Sequence, residues 1–391
     1  MADVWLQSAL WLGLALLASL ISIRVAVSVA LIEIVVGAIA GNLIGLHITD
    51  WVNFLAGFGA ILLTFLAGTE IDPRIVRKHF WSSMTIGVTG FIAPYIGVLA
   101  YAHWGIGWPW PQAQIAGIAL STTSVAVVYA VMVETGFNKT EIGKIILAAC
   151  FINDLGTVLA LGIVFAHYDL WLLLFGAVTA AVILLLVRYA PWMFRRLGDR
   201  VSEPQTKFVS LILLALGGLS SVAGSEAVLP AYLVGMALAP TFLAEEELSR
   251  RMRIIAFSIL TPFYFLKAGS IVEAHVVATS LGLIAIFLGI KMATKFLGIL
   301  PLTVYHHFDR REGMYTTLLM STGLTFGSIS ALFGLTNRII DQTQYTILVT
   351  AVIGSAVVPT LIAQTWFQPE FKPISAEGEV RKAEEVAGEE P

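Results

Sequence analysis

The sequence has few charged residues and a single cysteine. Only 13% of its 391 residues are Asp, Glu, Lys or Arg, whereas a soluble domain carries roughly 25%. None occurs from His79 to Val133, a run of 55 residues that can hold two membrane-spanning helices. The lone Cys150 excludes a disulfide framework and a cysteine-rich metal site. Together with a net charge of −3, this composition excludes an ordinary soluble enzyme, a disordered chain and a nucleic-acid-binding protein.

Long apolar runs take the place of the missing charge. They are continuous and about 20 residues long, which favours membrane-spanning helices over the alternating strands of a barrel. We therefore predict an all-α membrane protein in which residues 1–370 form the transmembrane domain. The thirteen predicted spans lie near 4–21, 25–46, 52–70, 80–104, 112–134, 140–166, 168–190, 207–224, 226–243, 250–273, 277–304, 312–335 and 343–367.

The basic residues predict how the chain crosses the membrane. If there are thirteen spans, nineteen of the 23 Lys and Arg residues fall on one side, Arg338 falls on the other, and three lysines lie inside spans. Because basic loops stay in the cytoplasm, the N-terminus is predicted to be outside the cell (inner) membrane and the C-terminus inside. Residues 371–391 are predicted to be a short, acidic, disordered cytoplasmic tail, so we expect no nucleotide-binding domain in this chain.

The two halves of the chain share short strings at an offset of 198 to 201 residues. This offset equals seven spans, an odd number, so the halves would cross the membrane in opposite directions. Such inverted repeats, here roughly residues 25–166 and 226–367, are typical of secondary transporters. Chance similarity among apolar helices is the alternative. The matching strings are Val36–Gly37 with Val234–Gly235, Phe65–Gly68 with Phe265–Gly269, and Ser121–Thr122 with Ser321–Thr322.

Spans 5 and 12 contain unusual polar runs. Span 5 carries Ser121, Thr122, Thr123 and Ser124 in succession, and span 12 carries a similar run of Ser, Thr and Gly over residues 321–328. Hydroxyl groups can replace lost backbone partners, so we predict discontinuous helices that direct free carbonyl groups at a cation. The alternative is a packing face of small residues.

Asp154 is the most informative residue, because it lies near the middle of span 6. A carboxylate at that depth is costly unless it is protonated, paired or hydrated. It can hold a proton or a monovalent cation but not both well, and this competition is the basis of antiport. The adjacent Asn153 can add a carbonyl oxygen or orient a neighbour. The alternative is a hydrogen-bonded core aspartate without a transport role.

Three lysines and two glutamates are further candidates. Lys291 and Lys295 lie four residues apart on one face of span 11 and could neutralise charge near the site, or extend to the interface. Lys267 could instead anchor span 10 or pair with Glu273.

The two candidate glutamates are Glu33 and Glu70. Glu33 lies in span 2 and could pair with a lysine or line an ion path. Glu70 could pair with Arg74 or Arg77.

At these residues the sequence resembles the monovalent cation:proton antiporter-2 family, which includes bacterial Na⁺/H⁺ and K⁺/H⁺ antiporters and the membrane part of glutathione-gated potassium efflux proteins. The resemblance covers essentially the whole membrane region. The strings that carry it are Gly59 to Asp72, Ser121 to Ala126, Asn153–Asp154, Pro262 to Phe265 with Gly269, and Thr294 to Gly298.

The resemblance implies thirteen helices in two inverted five-helix repeats, with a moving core domain, a dimer domain and a homodimeric assembly. It also implies an antiporter, not an enzyme, that needs no cofactor and acts in pH homeostasis. Asp154 would carry the cation and the proton, and Lys295 would be the family's core lysine. Glu33 and Glu70 match acidic positions of the family.

One departure from the family pattern leads to a hypothesis. Electrogenic relatives have two adjacent aspartates, whereas this chain has Asn153–Asp154. With one carboxylate, exchange is expected to be electroneutral, one Na⁺ or K⁺ for one proton. A sodium-coupled symporter of organic anions on a similar fold, or a cation channel, remain the alternative functions.

Overall fold

The computed structural model describes residues 2–25, 28–69, 79–135, 137, 140–165, 170–197, 200–223 and 227–369. Within these residues the regular structure is entirely helical and contains no β-strand. The α-helices are α1 Ala2–Val25, α2 Val29–Ile44, α3 Asp50–Thr69, α4 Phe80–Ala100, α5 Trp110–Ser121, α6 Val125–Glu134, α7 Glu141–Val164, α8 Leu170–Leu197, α9 Pro204–Val222, α10 Val228–Ala244, α11 Glu246–Ile255, α12 Thr261–Ser270, α13 Ala274–Thr279, α14 Leu281–Tyr305, α15 Arg310–Met320, α16 Thr325–Thr336 and α17 Gln342–Trp366.

The described part of the chain forms a multi-pass, all-α bundle. It contains ten helices that are long and apolar enough to cross a membrane, and two shorter apolar helices, α2 and α10. Two π-helical turns, Tyr101–Gly105 and Ala256–Leu260, extend α4 and join α11 to α12. The predicted tail, residues 371–391, lies outside the described residues.

The helices pack in two groups. Helices α1 to α3 and α8 to α12 form the first group, in which α3 packs on α10 and α2 packs on α12. Helices α4 to α7 and α14 to α17 form the second group, in which α4 packs on α5, α7 and α14. The largest hydrophobic core surrounds α5, α7, α15 and α17 of the second group. Asp154 and both lysines of α14 therefore belong to the same group of helices.

Two glycines allow the backbones of the first group to touch. A Cβ atom at Gly37 of α2 would collide with the carbonyl oxygen of Leu266 in α12. In the same way, a Cβ atom at Gly235 of α10 would collide with the carbonyl oxygen of Phe65 in α3. Close approach of this kind is how membrane helices gain packing contacts without a hydrophobic driving force.

Spans 5 and 12 are both interrupted, as their polar runs predict. The first span breaks after Ser121 and resumes at Val125, and the second breaks after Met320 and resumes at Thr325. The extended segments meet, because the amide of Ser124 donates a hydrogen bond of 3.1 Å to the carbonyl oxygen of Thr322. The two interruptions therefore cross each other inside the protein. At this crossing the carbonyl ends of α5 and α15 and the amide ends of α6 and α16 come together, and these two kinds of helix end carry partial charges of opposite sign.

Candidate ion-binding site

Asp154 lies in the middle of α7, beside this crossing. Its side chain is only 1% exposed, and its Oδ1 atom has no hydrogen-bond partner among the described residues. A buried carboxylate without partners is costly when it is charged. Asp154 therefore needs either a proton or a bound cation.

Asn153 ties α7 to the first interruption. Its Oδ1 atom accepts a hydrogen bond of 2.9 Å from the amide of Thr123, and its Nδ2 atom donates one of 3.4 Å to the carbonyl oxygen of Ser121. Both ends of the amide are thus engaged with backbone groups. This side chain fixes the position of its neighbour Asp154 relative to the interruption.

The hydroxyls of Thr122 and Ser124 serve the ends of the two short helices. Thr122 donates through Oγ1 to the carbonyl oxygen of Ala119 at 3.1 Å. The Ser124 Oγ atom accepts from the amide of Val127 at 3.4 Å and so caps the start of α6. Both side chains are fully buried, and their visible role is to replace the backbone partners that the break removes.

Thr123 connects the two interruptions to a lysine. Its hydroxyl donates to the carbonyl oxygen of Met320 at 2.8 Å and accepts from the Nζ atom of Lys295 at 3.0 Å. Lys295 is fully buried and, through Thr123, lies beside the Asn153–Asp154 pair. No ion pair joins Lys295 to Asp154 among the described residues, so the lysine lies near the carboxylate without neutralising it by direct contact.

Lys291, one helical turn earlier in α14, supports the second interruption. Its Nζ atom donates to the hydroxyl of Ser355 at 2.9 Å, and this hydroxyl lies 3.2 Å from the carbonyl oxygen of Gly323. Lys291 is fully buried, as Lys295 is. Both lysines are thus enclosed by protein, which does not fit side chains that extend to the membrane interface.

The structure does not bring Glu33 to this cluster. Glu33 is 2% exposed in α2 of the first helix group, and its carboxylate has no lysine partner among the described residues. Glu70 lies outside the described residues. The suggested pair of Lys267 with Glu273 is not formed; Glu273 lies 3.8 Å from His275 instead.

The described residues contain no cluster of three or more His, Cys, Asp or Glu that could hold a metal ion.

Residues 12–368 match the family described as sodium/hydrogen exchanger, transmembrane. The chain belongs to this family. It is a family of transporters and not of enzymes.

Proteins of similar sequence agree with the assignment of the chain to this family. The probable Na⁺/H⁺ antiporter 3 of Methanocaldococcus jannaschii is 26% identical over 351 residues, which cover 86% of this chain and 88% of that protein. The Na⁺/H⁺ antiporter of Enterococcus hirae is 24% identical, over 88% of this chain and 92% of its own. The solved structure of the sodium proton antiporter MjNhaP1 from M. jannaschii has a TM-score of 0.69 at 13% identity, over 97% of this chain and 98% of that one. This last likeness shows a shared fold.

Three polar residues around the candidate ion-binding site were not predicted from the sequence. Thr157 donates to the carbonyl oxygen of Asn153 at 3.2 Å, and its spacing from Asp154 on one helix could have indicated it. Tyr232 is fully buried and donates to the carbonyl oxygen of Phe151 at 3.1 Å. Ser355 holds Lys291. Tyr232 and Ser355 come from distant helices, so no local sequence pattern indicates them.

Proposed function

We propose that this exchanger is a secondary active antiporter that exchanges a monovalent cation, Na⁺ or K⁺, for protons by alternating access. Asp154 is the shared cation and proton site. The observation that carries this proposal is the buried Asp154 carboxyl beside two interrupted helices, whose Oδ1 atom has no partner among the residues that the structure describes. In the low dielectric of the protein interior, the Asp154 carboxylate needs either a proton or a cation as its partner.

The competition at Asp154 couples the two ions. When the carboxyl group is protonated, it is a weak cation ligand; when it is ionised, it attracts a small cation. Asn153 and Thr123 keep the carboxylate beside the crossing. The helices of the second group, which carry the crossing and Asp154, form the moving core domain, and those of the first group form the dimer domain. Movement of the core exposes the site to each side in turn.

The hydroxyls of Thr122, Thr123 and Ser124 form hydrogen bonds with protein groups. These residues therefore contribute to the cation site indirectly, by stabilising the crossing of the two interrupted helices. Lys295 and Lys291 compensate charge. Each places a fully buried ammonium group near carbonyl oxygens of an interruption. A cation close to the carbonyl end of a short helix offsets its partial negative charge.

We also propose the inverted repeats, roughly residues 25–166 and 226–367, within thirteen spans. Contacts related by the same offset support them. A Cβ atom at Gly269 would collide with the carbonyl oxygen of Ile34, and one at Gly68 would collide with that of Tyr232. The glycines are 201 residues apart and the contacted residues 198 apart. An exchange of partners between α2–α12 and α3–α10 is what a pseudo-two-fold axis produces.

The exchange is proposed to be electroneutral, one cation for one proton, because the site has the single carboxylate of Asp154. Glu33 and Glu70 are accessory acidic residues on the ion path.

The protein acts in pH homeostasis as a homodimer in the cell (inner) membrane, with the N-terminus outside and the C-terminal tail in the cytoplasm. The basic residues of the predicted loops support this orientation.

The test is proton movement in proteoliposomes that contain the purified protein and an acid-sensitive dye. A pulse of NaCl, KCl or LiCl is expected to release protons from an acidic lumen, whereas choline chloride is not. For electroneutral exchange, the rate is expected to be the same whether or not an imposed potential is present. Absence of proton movement with every cation would contradict the antiporter, and current that scales with transport would contradict electroneutrality alone.

A further inference from the structure

A second polar feature lies away from Asp154, in a cavity of about 470 Å³. Its walls come from α3, α12 and the start of α10 in the first helix group and from α16 of the second group. The cavity therefore separates one of the interrupted helices from the helices against which the proposed core domain moves. Its volume falls in the range of roughly 300–1,000 Å³ that is usual for small-molecule sites.

Lys267 gives this cavity its charge. Among the described lining residues it is the one with a formal charge. Within the described part of the chain no hydrogen bond or ion pair engages its ammonium group, and the neighbouring Glu273 is directed towards His275. A partly buried ammonium group without an acceptor is a strong attractor for an anion.

Tyr264 contributes its aromatic ring to the wall of the cavity. It lies one turn before Lys267 on α12, on the same face of the helix, and is 3% exposed. Its hydroxyl oxygen is enclosed by protein atoms and has no partner among the described residues. A ligand in the cavity therefore meets the ring of Tyr264, and the ammonium group of Lys267 is the charged donor that it can reach.

The rest of the wall determines what else the ligand must carry. Most of it is aliphatic or aromatic, and the polar exceptions are the amides of Asn53 and Asn337 and the hydroxyl of Thr336. A bare halide would leave most of the volume unfilled, and an organic cation would meet Lys267. The apolar residues include Ala56, Ala60, Val228, Ile329, Leu332 and Phe333.

We propose that this cavity is a binding site for a monocarboxylate with a compact apolar body, held at its carboxylate by Lys267. The apolar body packs between α3 and α16. Resting on the proposed antiport, a ligand that contacts both helix groups also inhibits exchange, because it opposes their relative movement.

The binding test uses the purified protein and isothermal titration calorimetry with 4-tert-butylbenzoate, and with 4-tert-butylbenzamide as the neutral match. Saturable binding of the carboxylate is expected, with the benzamide at least about tenfold weaker, because it lacks the charge-assisted bonds. Lys267→Met is expected to weaken carboxylate binding about tenfold or more, whereas Lys267→Arg and Tyr264→Phe retain it. The Asp154→Asn variant is expected to bind it as the wild type does.

Three outcomes would overturn the site: no saturable binding, equal affinity for the benzamide, or equal affinity of the Lys267→Met variant. If that variant does not fold, Lys267→Gln decides. The same carboxyl chemistry could come from the bilayer, so laurate in nanodiscs forms a second arm; tighter binding there than in detergent indicates a fatty acid. Inhibition of wild-type exchange that disappears in Lys267→Met tests the consequence. Because the titration needs no transport, its result stands apart from any failure of the antiport proposal.

Discussion

The ammonium group of Lys295 donates a hydrogen bond of 3.0 Å to the hydroxyl of Thr123. Thr123 in turn donates to the carbonyl oxygen of Met320 at 2.8 Å, so one hydroxyl joins α14 to both interruptions. This arrangement leaves Asp154 without a permanent ion pair in the described part of the structure. The carboxyl group that we propose to bind the cation and the proton in turn is therefore available to both.

Thr123→Val tests this connection. The substitution keeps the shape of the side chain and removes both hydrogen bonds, which leaves Lys295 without its buried acceptor. We expect a loss of about 1–3 kcal/mol in stability and slower exchange. Thr123→Ser keeps the hydroxyl and serves as the control. Thermal unfolding in detergent measures the difference, and equal melting temperatures for the two variants would show that the bond carries no stability.

Gly235→Ala tests the close approach of α10 and α3. Its new methyl group would collide with the carbonyl oxygen of Phe65, and both are rigid backbone positions. Overpacking typically costs about 1–3 kcal/mol, and backbone contact is at the upper end of this range. The control is Gly218→Ala in α9, where the added methyl group meets no atom within 4 Å. Fluorescence-detected size-exclusion chromatography after heating is expected to show early loss of Gly235→Ala only.

The sequence predicts the parts of this fold that depend on solvent. The apolar runs and the scarcity of charge predict the helices. The Ser and Thr runs predict the interruptions at residues 122–124 and 321–324, because a membrane helix can break only where other groups replace its backbone partners. The depth of Asp154 in span 6 likewise follows from its distance to the span ends. These signals are local along the chain.

The contacts between distant residues could not be predicted. Lys291 and its partner Ser355 are 64 residues apart, and no pattern within one helix joins them. The Ser and Thr runs also do not reveal which hydroxyls cap helix ends; the structure shows that those of Thr122 and Ser124 do. Nor could the cavity at Lys267 be predicted, since it is formed by four helices, α3, α10, α12 and α16, that lie far apart in the chain.

His306 predicts a dependence of stability on pH. It follows α14, outside the spans, and contacts the hydroxyls of Thr85 at 2.9 Å and Ser82 at 3.3 Å. Burial lowers the pKa of His306, and the neighbouring His307 adds to this shift. As pH falls below about 6.5, the unfolded chain therefore takes up the proton first, and the folded state loses stability.

We expect the melting temperature of the wild type to fall between about pH 7 and pH 5.5, a range around the ordinary histidine pKa, and that of His306→Gln to fall less. The exposed His47 provides the matched substitution, His47→Gln, which is expected to follow the wild type. A wild-type profile and a His306→Gln profile of the same slope would show that His306 does not contribute.

The central claim is that Asp154 binds the cation and the proton in turn. The most direct test is cation-dependent proton movement in proteoliposomes with Asp154→Asn, which keeps the size of the side chain and removes its charge. Asp50→Asn, at the exposed start of α3, is the control. The account predicts that Asp154→Asn folds with a normal elution profile and shows no proton movement with NaCl, KCl or LiCl, whereas Asp50→Asn exchanges as the wild type does. Exchange by a well-folded Asp154→Asn protein at the wild-type rate would contradict the account.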